Sequence, residues 1–141
     1  MNTLDFVYVN KKLTLEQTGI LVEISNRLIE DLSKIKPQED DIFDYNEKEK
    51  DFMNLIKEES TSRRLVLVYQ VKEDSDFNFL HCLTMIQVLL ERKENKLIAY
   101  LRSCNVIKLF SDLGFLCRLA KIGKCQRVVV FIGSLHINVE D

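Results

Sequence analysis

Asp5-Phe6-Val7-Tyr8-Val9 is a short run of aromatic and β-branched residues and predicts a strand. Thr14-Leu15-Glu16-Gln17 follows with the Ser/Thr-x-x-Glu/Gln spacing of a capping box, the signature of a helix N-terminus. Ile20, Ile24, Leu28 and Leu32 recur every four residues, with Leu21 and Ile35 beside the same stripe. One amphipathic helix is therefore expected through about residue 35. Pro37 and the acidic Gln38-Glu39-Asp40-Asp41 break the pattern and predict a linker too polar to order itself.

Beyond it, a second amphipathic helix is expected over roughly 46–58, with Phe52, Leu55 and Ile56 inward. Arg63 to Tyr69 reads as a buried strand, and 81–91 and 97–103 as the arms of a hairpin around the polar turn 92–96. A helix over about 106–121 should bury Ile107, Phe110, Leu113, Leu116, Leu119 and Ala120 and end at Gly123 in a left-handed C-cap. Arg127 to Ile132 is the last strand, and the polar Gly133-Ser134-Leu135-His136 follows it. The order strand, helix, helix, strand, hairpin, helix, strand implies an α+β protein, a mixed β-sheet with helices packed on one face.

At 141 residues and 46% apolar side chains, the chain can bury one continuous core but is short for two ordinary domains. A single domain is expected over 1–141, with a helical head and acidic linker (1–45) and a body (46–141). A net charge of -2 gives no global field to attract nucleic acid, so any bound anion must meet a local arginine cluster. No apolar run approaches bilayer thickness and the N-terminus lacks the plan of a signal peptide, which points to a cytoplasmic protein without a membrane partner. Cys82, Cys104, Cys117 and Cys125 form no C-x-x-C and only two histidines accompany them, so no metal site is expected. Cys104, Cys117 and Cys125 read as buried reduced thiols.

Three segments carry more than packing. Ser62-Arg63-Arg64 puts two forked guanidinium groups together at the start of a strand, suited to a phosphate dianion but also to a solvated salt-bridge patch. Cys82 lies at one end of the hairpin and Arg102-Ser103 at the other, and pairing of the arms would bring thiol and cation side by side. A thiol reacts as thiolate, which a fixed cation favours; the plainer alternative is a structural cysteine in a strand. His136 follows the last strand, where polar groups often line crevices, though such a histidine is also an ordinary surface residue.

Together these segments resemble the thymidylate synthases and the deoxycytidylate and deoxyuridylate hydroxymethylases. The resemblance rests on Ser62-Arg63-Arg64, on His81-Cys82 with Gln87 five residues on, on Tyr100-Leu101-Arg102-Ser103-Cys104-Asn105, and on Gly133-Ser134-Leu135-His136. It covers roughly residues 46–141 and implies that Cys82 is the nucleophile that adds to C6 of a pyrimidine 5′-monophosphate, dUMP or dCMP. It further implies that Arg102 and Ser103 hold the phosphate, with Arg63 and Arg64 reaching it from the second subunit of a homodimer. Gln87 would lie in the sheet beneath the site and His136 near the sugar hydroxyl. Methylenetetrahydrofolate would supply the one-carbon unit.

The chain also departs from that pattern. His81 replaces a proline, Asn105 an aspartate bordering base and folate, and Asn138 a tyrosine at the sugar. The base-reading position falls on Asp112 or on Leu113; a carboxyl group there would suit cytosine. No counterpart is found to the N-terminal phosphate loop, the helix bearing the catalytic glutamate, the tryptophan-containing folate segment or the C-terminal closing segment. Glu16, Glu23 and Glu30 are candidates for a substitute acid, although surface glutamates are commonplace. The resemblance thus leaves three readings: a methyl or hydroxymethyl transferase, a non-catalytic nucleotide-binding or interaction protein, and a subunit completed by a second, larger chain.

Overall fold

The computed structural model describes residues 4–9, 12–58, 64–68, 83–90 and 93–138; side chains are described for 13–58, 65–68, 83–90 and 93–137. Seven strands form one sheet: β1 (Leu4–Val9), β2 (Lys12–Ser25), β3 (Arg64–Val68), β4 (Leu83–Leu90), β5 (Asn95–Leu101), β6 (Cys104–Asn105) and β7 (Arg127–Asn138). Among the described residues three α-helices accompany them: α1 (Asn26–Ser33), α2 (Ile42–Glu58) and α3 (Leu109–Ile122). The strand order is β1-β2-β7-β5-β4-β3, with β6 added beside β7. β5 and β7 run parallel, joined through α3, and β6 also runs parallel to β7; the remaining pairs are antiparallel.

Register sorts the side chains by parity, because successive residues of a strand face opposite sides. Leu65, Val88, Leu97, Val128 and Ile24 form one row across the sheet on the helix side. Phe52 of α2 and Leu113, Leu116 and Leu119 of α3 join that row in the buried core. On the other side the rows read Val66, Gln87, Ile98, Val129, Glu23 and Val68, Met85, Tyr100, Phe131, Leu21. The helices therefore cover one face, as expected for this α+β architecture. On the opposite face Leu21 is 52% exposed and Phe131 41%, with Phe131 stacked on Tyr100 at 5.1 Å.

The largest correction falls between residues 12 and 35. The expected helix from Thr14 is instead a 14-residue strand followed by an eight-residue helix. A recurrence every four residues fits a strand as well as a helix, since positions four apart share one face of both. The residue between decides: Ile20, Val22 and Ile24 alternate along β2, whereas Leu21 points the other way. Thr14, the supposed cap, is fully buried opposite Asn138, and Glu16 accepts a hydrogen bond from Ser134 Oγ at 2.6 Å. Pairing with both β1 and β7 outweighs the helical preference of a few side chains, which is worth only tenths of a kcal/mol per residue (roughly 0–0.7).

The helix proper begins at Asn26 and buries Ile29, while Leu28 is exposed. Leu32 O would lie only 2.8 Å from a Cβ at position 114, so Gly114 is what lets α1 approach α3 so closely. The acidic segment also differs from the expected linker. Glu39–Asp41 forms a 3-10 turn leading directly into α2, Asp41 pairs with Lys108 at 3.3 Å, and Arg118 donates to Ile35 O at 2.9 Å. The described part of the first 45 residues is thus built into the sheet and core, with Ile24, Ile29 and Tyr45 among the core residues.

The hairpin agrees with expectation: Leu83 stands opposite Leu101 and Leu90 opposite Asn95. α3 ends at Gly123, but Gly123 has φ -81 and it is Lys124, at φ 55, that takes the left-handed conformation. Gly123 is instead tightly packed, with Phe52 Cζ 3.3 Å from where its Cβ would stand. Ile107 and Phe110, expected in the core, are 63% and 62% exposed. The last strand runs on through Gly133-Ser134-Leu135-His136 to Asn138.

Candidate functional site

Four of the sequence-predicted site residues come together at one end of the sheet. β5 ends at Leu101; Arg102 and Ser103 turn the chain, and Cys104 and Asn105 then pair with Leu135 and His136 of β7. Arg102, Ser103, Asn105 and His136 therefore sit around one strand end. Gly133 makes the approach feasible: a Cβ there would stand 2.6 Å from Arg102 O, so only glycine lets β7 pass this turn. On the open side, Arg102 lines a depression with Gly19, Leu21, Thr84, Tyr100 and Phe131. Thr84 Oγ1 donates to Tyr100 O at 3.0 Å and ties β4 to β5 there.

Cys82 and Arg63 lie outside the described residues. Arg64 begins β3 opposite Leu89, and its side chain is likewise outside the description. Leu83, the chain neighbour of Cys82, is paired with Leu101, the chain neighbour of Arg102. Gln87 stands on the open face between Val66 and Ile98.

Asp112 belongs to the helix side. It lies in the first turn of α3, where Tyr45 donates its hydroxyl to Oδ1 and Cys104 donates its thiol to Oδ2 at 3.4 Å. Ser111 Oγ is 3.4 Å from the same tyrosine hydroxyl. Burial raises the Asp112 pKa above the usual carboxylate range, against the opposing pull of the Tyr45 and Cys104 hydrogen bonds. Burial likewise pushes the Tyr45 phenol up, with Asp112 adding to it. Leu113, the alternative base-reading position, is buried in the core and points away from this network. Asn105 is engaged too: its Oδ1 accepts from Ile107 N at 3.0 Å and caps the turn before α3.

The Asp112 network borders a small cavity of about 80 Å³ that reaches Leu83 and Leu101. Asp41, Asp44, Lys48 and Lys108 share its lining. Lys48 is almost wholly buried and is held by Asp44 at 2.5 Å, a pair that burial makes costly to break. Asp41 gives one oxygen to Lys108, while its Oδ2 is buried without a hydrogen-bond partner. Sequence reasoning missed Tyr45, Lys48 and Cys104. Tyr45 and Asp112 are 67 residues apart, and no local spacing signals such a contact.

The three glutamates considered as substitute acids have ordinary partners. Glu16 bonds Ser134, Glu23 lies 3.7 Å from Arg127, and Glu30 pairs with Lys121 at 2.8 Å. Cys104, Cys117 and Cys125 are buried reduced thiols; burial raises the Cys117 and Cys125 thiols to about 11, which keeps them protonated. No described helix is long and apolar enough to cross a membrane.

The fold defined by this sheet and its helices is the thymidylate synthase-like α+β fold. Among solved structures, thymidylate synthase from T4 phage is similar, with a TM-score of 0.62 over 94% of this chain and 71% of that one. Identity is 13%, so the likeness is one of fold. No protein-family profile matches the sequence, and no curated protein matches it.

Proposed function

We propose that this protein binds a pyrimidine 5′-monophosphate, dUMP or dCMP, at the sheet end formed by Arg102, Ser103, Asn105 and His136. The observation that carries the reading is the pairing of Leu83 with Leu101 and of Asn105 with His136, in a fold shared with a thymidylate synthase. Extending the first pairing by one residue would set the Cys82 thiol opposite Arg102. The guanidinium would then serve both phosphate binding and thiolate formation. Gln87 would support the site from the sheet, and Asp112, on the helix side, would meet the base only by exchanging its hydrogen bonds to Tyr45 and Cys104.

The open sheet face supports a homodimer. Leu21, Val66, Val68 and Phe131 are exposed apolar side chains on that face, and burying them against a second copy would recover roughly 25 cal/mol per Å² of apolar area. Arg63 and Arg64 would enter the neighbouring site across that interface. Analytical ultracentrifugation should give a dimer in the cytoplasmic concentration range; a monomer at all concentrations would remove both the interface and the shared site.

Transfer of a methyl or hydroxymethyl group to C5, as a transferase, is the extended form of this reading and would require methylenetetrahydrofolate. The cavity beside Asp112 does not fit that group: it is small and its lining carries five charged side chains, unlike the broad apolar wall a folate ring system needs. No catalytic step is therefore derived through it. A non-catalytic nucleotide-binding or interaction protein is the second reading, favoured by the same small, charged cavity. A second, larger subunit would be the other source of a folate surface and should then co-purify.

Calorimetric titration with dUMP and dCMP tests the binding claim. Arg102→Ala should weaken the monophosphate by more than tenfold, since a charge-assisted bond contributes about 1.5–3 kcal/mol. Equal affinity for nucleoside and nucleotide would exclude a phosphate site. Cys82→Ser should leave binding intact and abolish any folate-dependent tritium release from C5.

A further inference from the structure

A second cavity, of about 260 Å³, opens between the end of α1, the first turns of α2 and the middle of α3. Its lining differs in kind from that of the Asp112 cavity: Lys34, Lys36 and Arg118 stand around it, against Glu49 as its acidic lining residue. The apolar part is Ile42 with Tyr45 and Phe115, whose rings stack at 4.4 Å and 9°. Arg118 is fixed rather than waving in solvent. One N–H bonds Ile35 O at 2.9 Å, and the guanidinium carbon lies 5.8 Å from the Phe115 ring centre.

Its charge is uncompensated locally. Among the described residues neither Arg118 nor Lys36 has a carboxylate within ion-pair distance, and Lys34 reaches Glu30 only at 4.0 Å. A guanidinium has five N–H donors in a planar fork, so one bond to a carbonyl leaves capacity for a carboxylate. Held in place by a backbone carbonyl and an aromatic face, it loses little side-chain freedom on binding an anion. We infer that this cavity is a binding site for a small organic carboxylate carried on an aromatic or branched apolar body, separate from the nucleotide end of the sheet. The carboxylate meets Arg118 and the two lysines, and the apolar body lies against Ile42, Ile35 and Pro37, with Phe115 buried beneath Arg118 as the support that holds the guanidinium in place.

Benzoate and its neutral counterpart benzyl alcohol test this by NMR titration of the isotope-labelled protein. Benzoate should give saturable shifts at the amides of 34–36 and 115–118, and benzyl alcohol should not saturate in the same range. Arg118→Gln should weaken benzoate at least about tenfold, equivalent to ~1.4 kcal/mol. Because Arg118 also holds Ile35, the exposed pair Lys34→Ala/Lys36→Ala provides an independent variant, expected to weaken benzoate about threefold with an unchanged spectrum elsewhere. Equal affinity for benzyl alcohol, undiminished binding in both variants, or no saturable shift at tens of millimolar benzoate would each overturn the assignment.

Discussion

The two faces of the sheet are built from the same strands and differ in what covers them. On the helix side, Leu97, Val128 and Val130 have no exposed surface and are packed under α2 and α3. On the other side, one residue along each strand, Ile98, Val129 and Phe131 keep apolar character with no described helix above them. The first face explains why the chain folds. The second is apolar beyond what a solvated face needs, which is why it is the face proposed for a partner.

Truncation should separate the faces most sharply. Leu97→Ala should cost about 2–5 kcal/mol in denaturant unfolding, because the surrounding core cannot collapse into the void. Gly114→Ala should come next, at roughly 1–3 kcal/mol, since its Cβ meets the Leu32 carbonyl and α1 must move off α3. A cost near zero there would show that α1 is held less firmly than its packing implies.

Asp112 gives a pH-dependent test of the helix side. Its folded pKa is raised above 3.8, so the folded state retains a proton that the unfolded state has released. Its contribution is fully present below the unfolded value and is lost as pH rises through the folded pKa. The stability of Asp112→Asn relative to the natural chain should therefore increase with pH across that window; a flat difference would contradict the raised pKa. The smallest effect on folding belongs to the open face, where Phe131→Ser should change monomer stability by only about 0.5 kcal/mol. That same change should shift the oligomeric equilibrium toward monomer, and an unaltered sedimentation profile would remove this face from the proposed interface.

The hairpin, α2, α3 and the last strand were legible because alternation or helical spacing there is uninterrupted and bounded by polar turns. The strand character of 14–25 was not, because a four-residue recurrence is common to both periods and the deciding contacts lie on β1 and β7. Arg102, Ser103, Asn105 and His136 were legible as motif residues, since short spacings survive in the sequence, but the pairing of Asn105 with His136 depends on the contact of β6 with β7. Tyr45, Lys48 and Cys104 around Asp112 were not, because their contacts depend on how α2 is laid against α3.

The sequence by itself determined the α+β class and the presence of the hairpin, both consequences of local periodicity and side-chain chemistry. Only the tertiary structure decided that the acidic segment is ordered, that the described helices all cover the same sheet face, and that Asp112 is held by a phenol and a thiol. Those outcomes depend on which distant surfaces meet, and burial then sets the protonation and pairing of the groups enclosed between them.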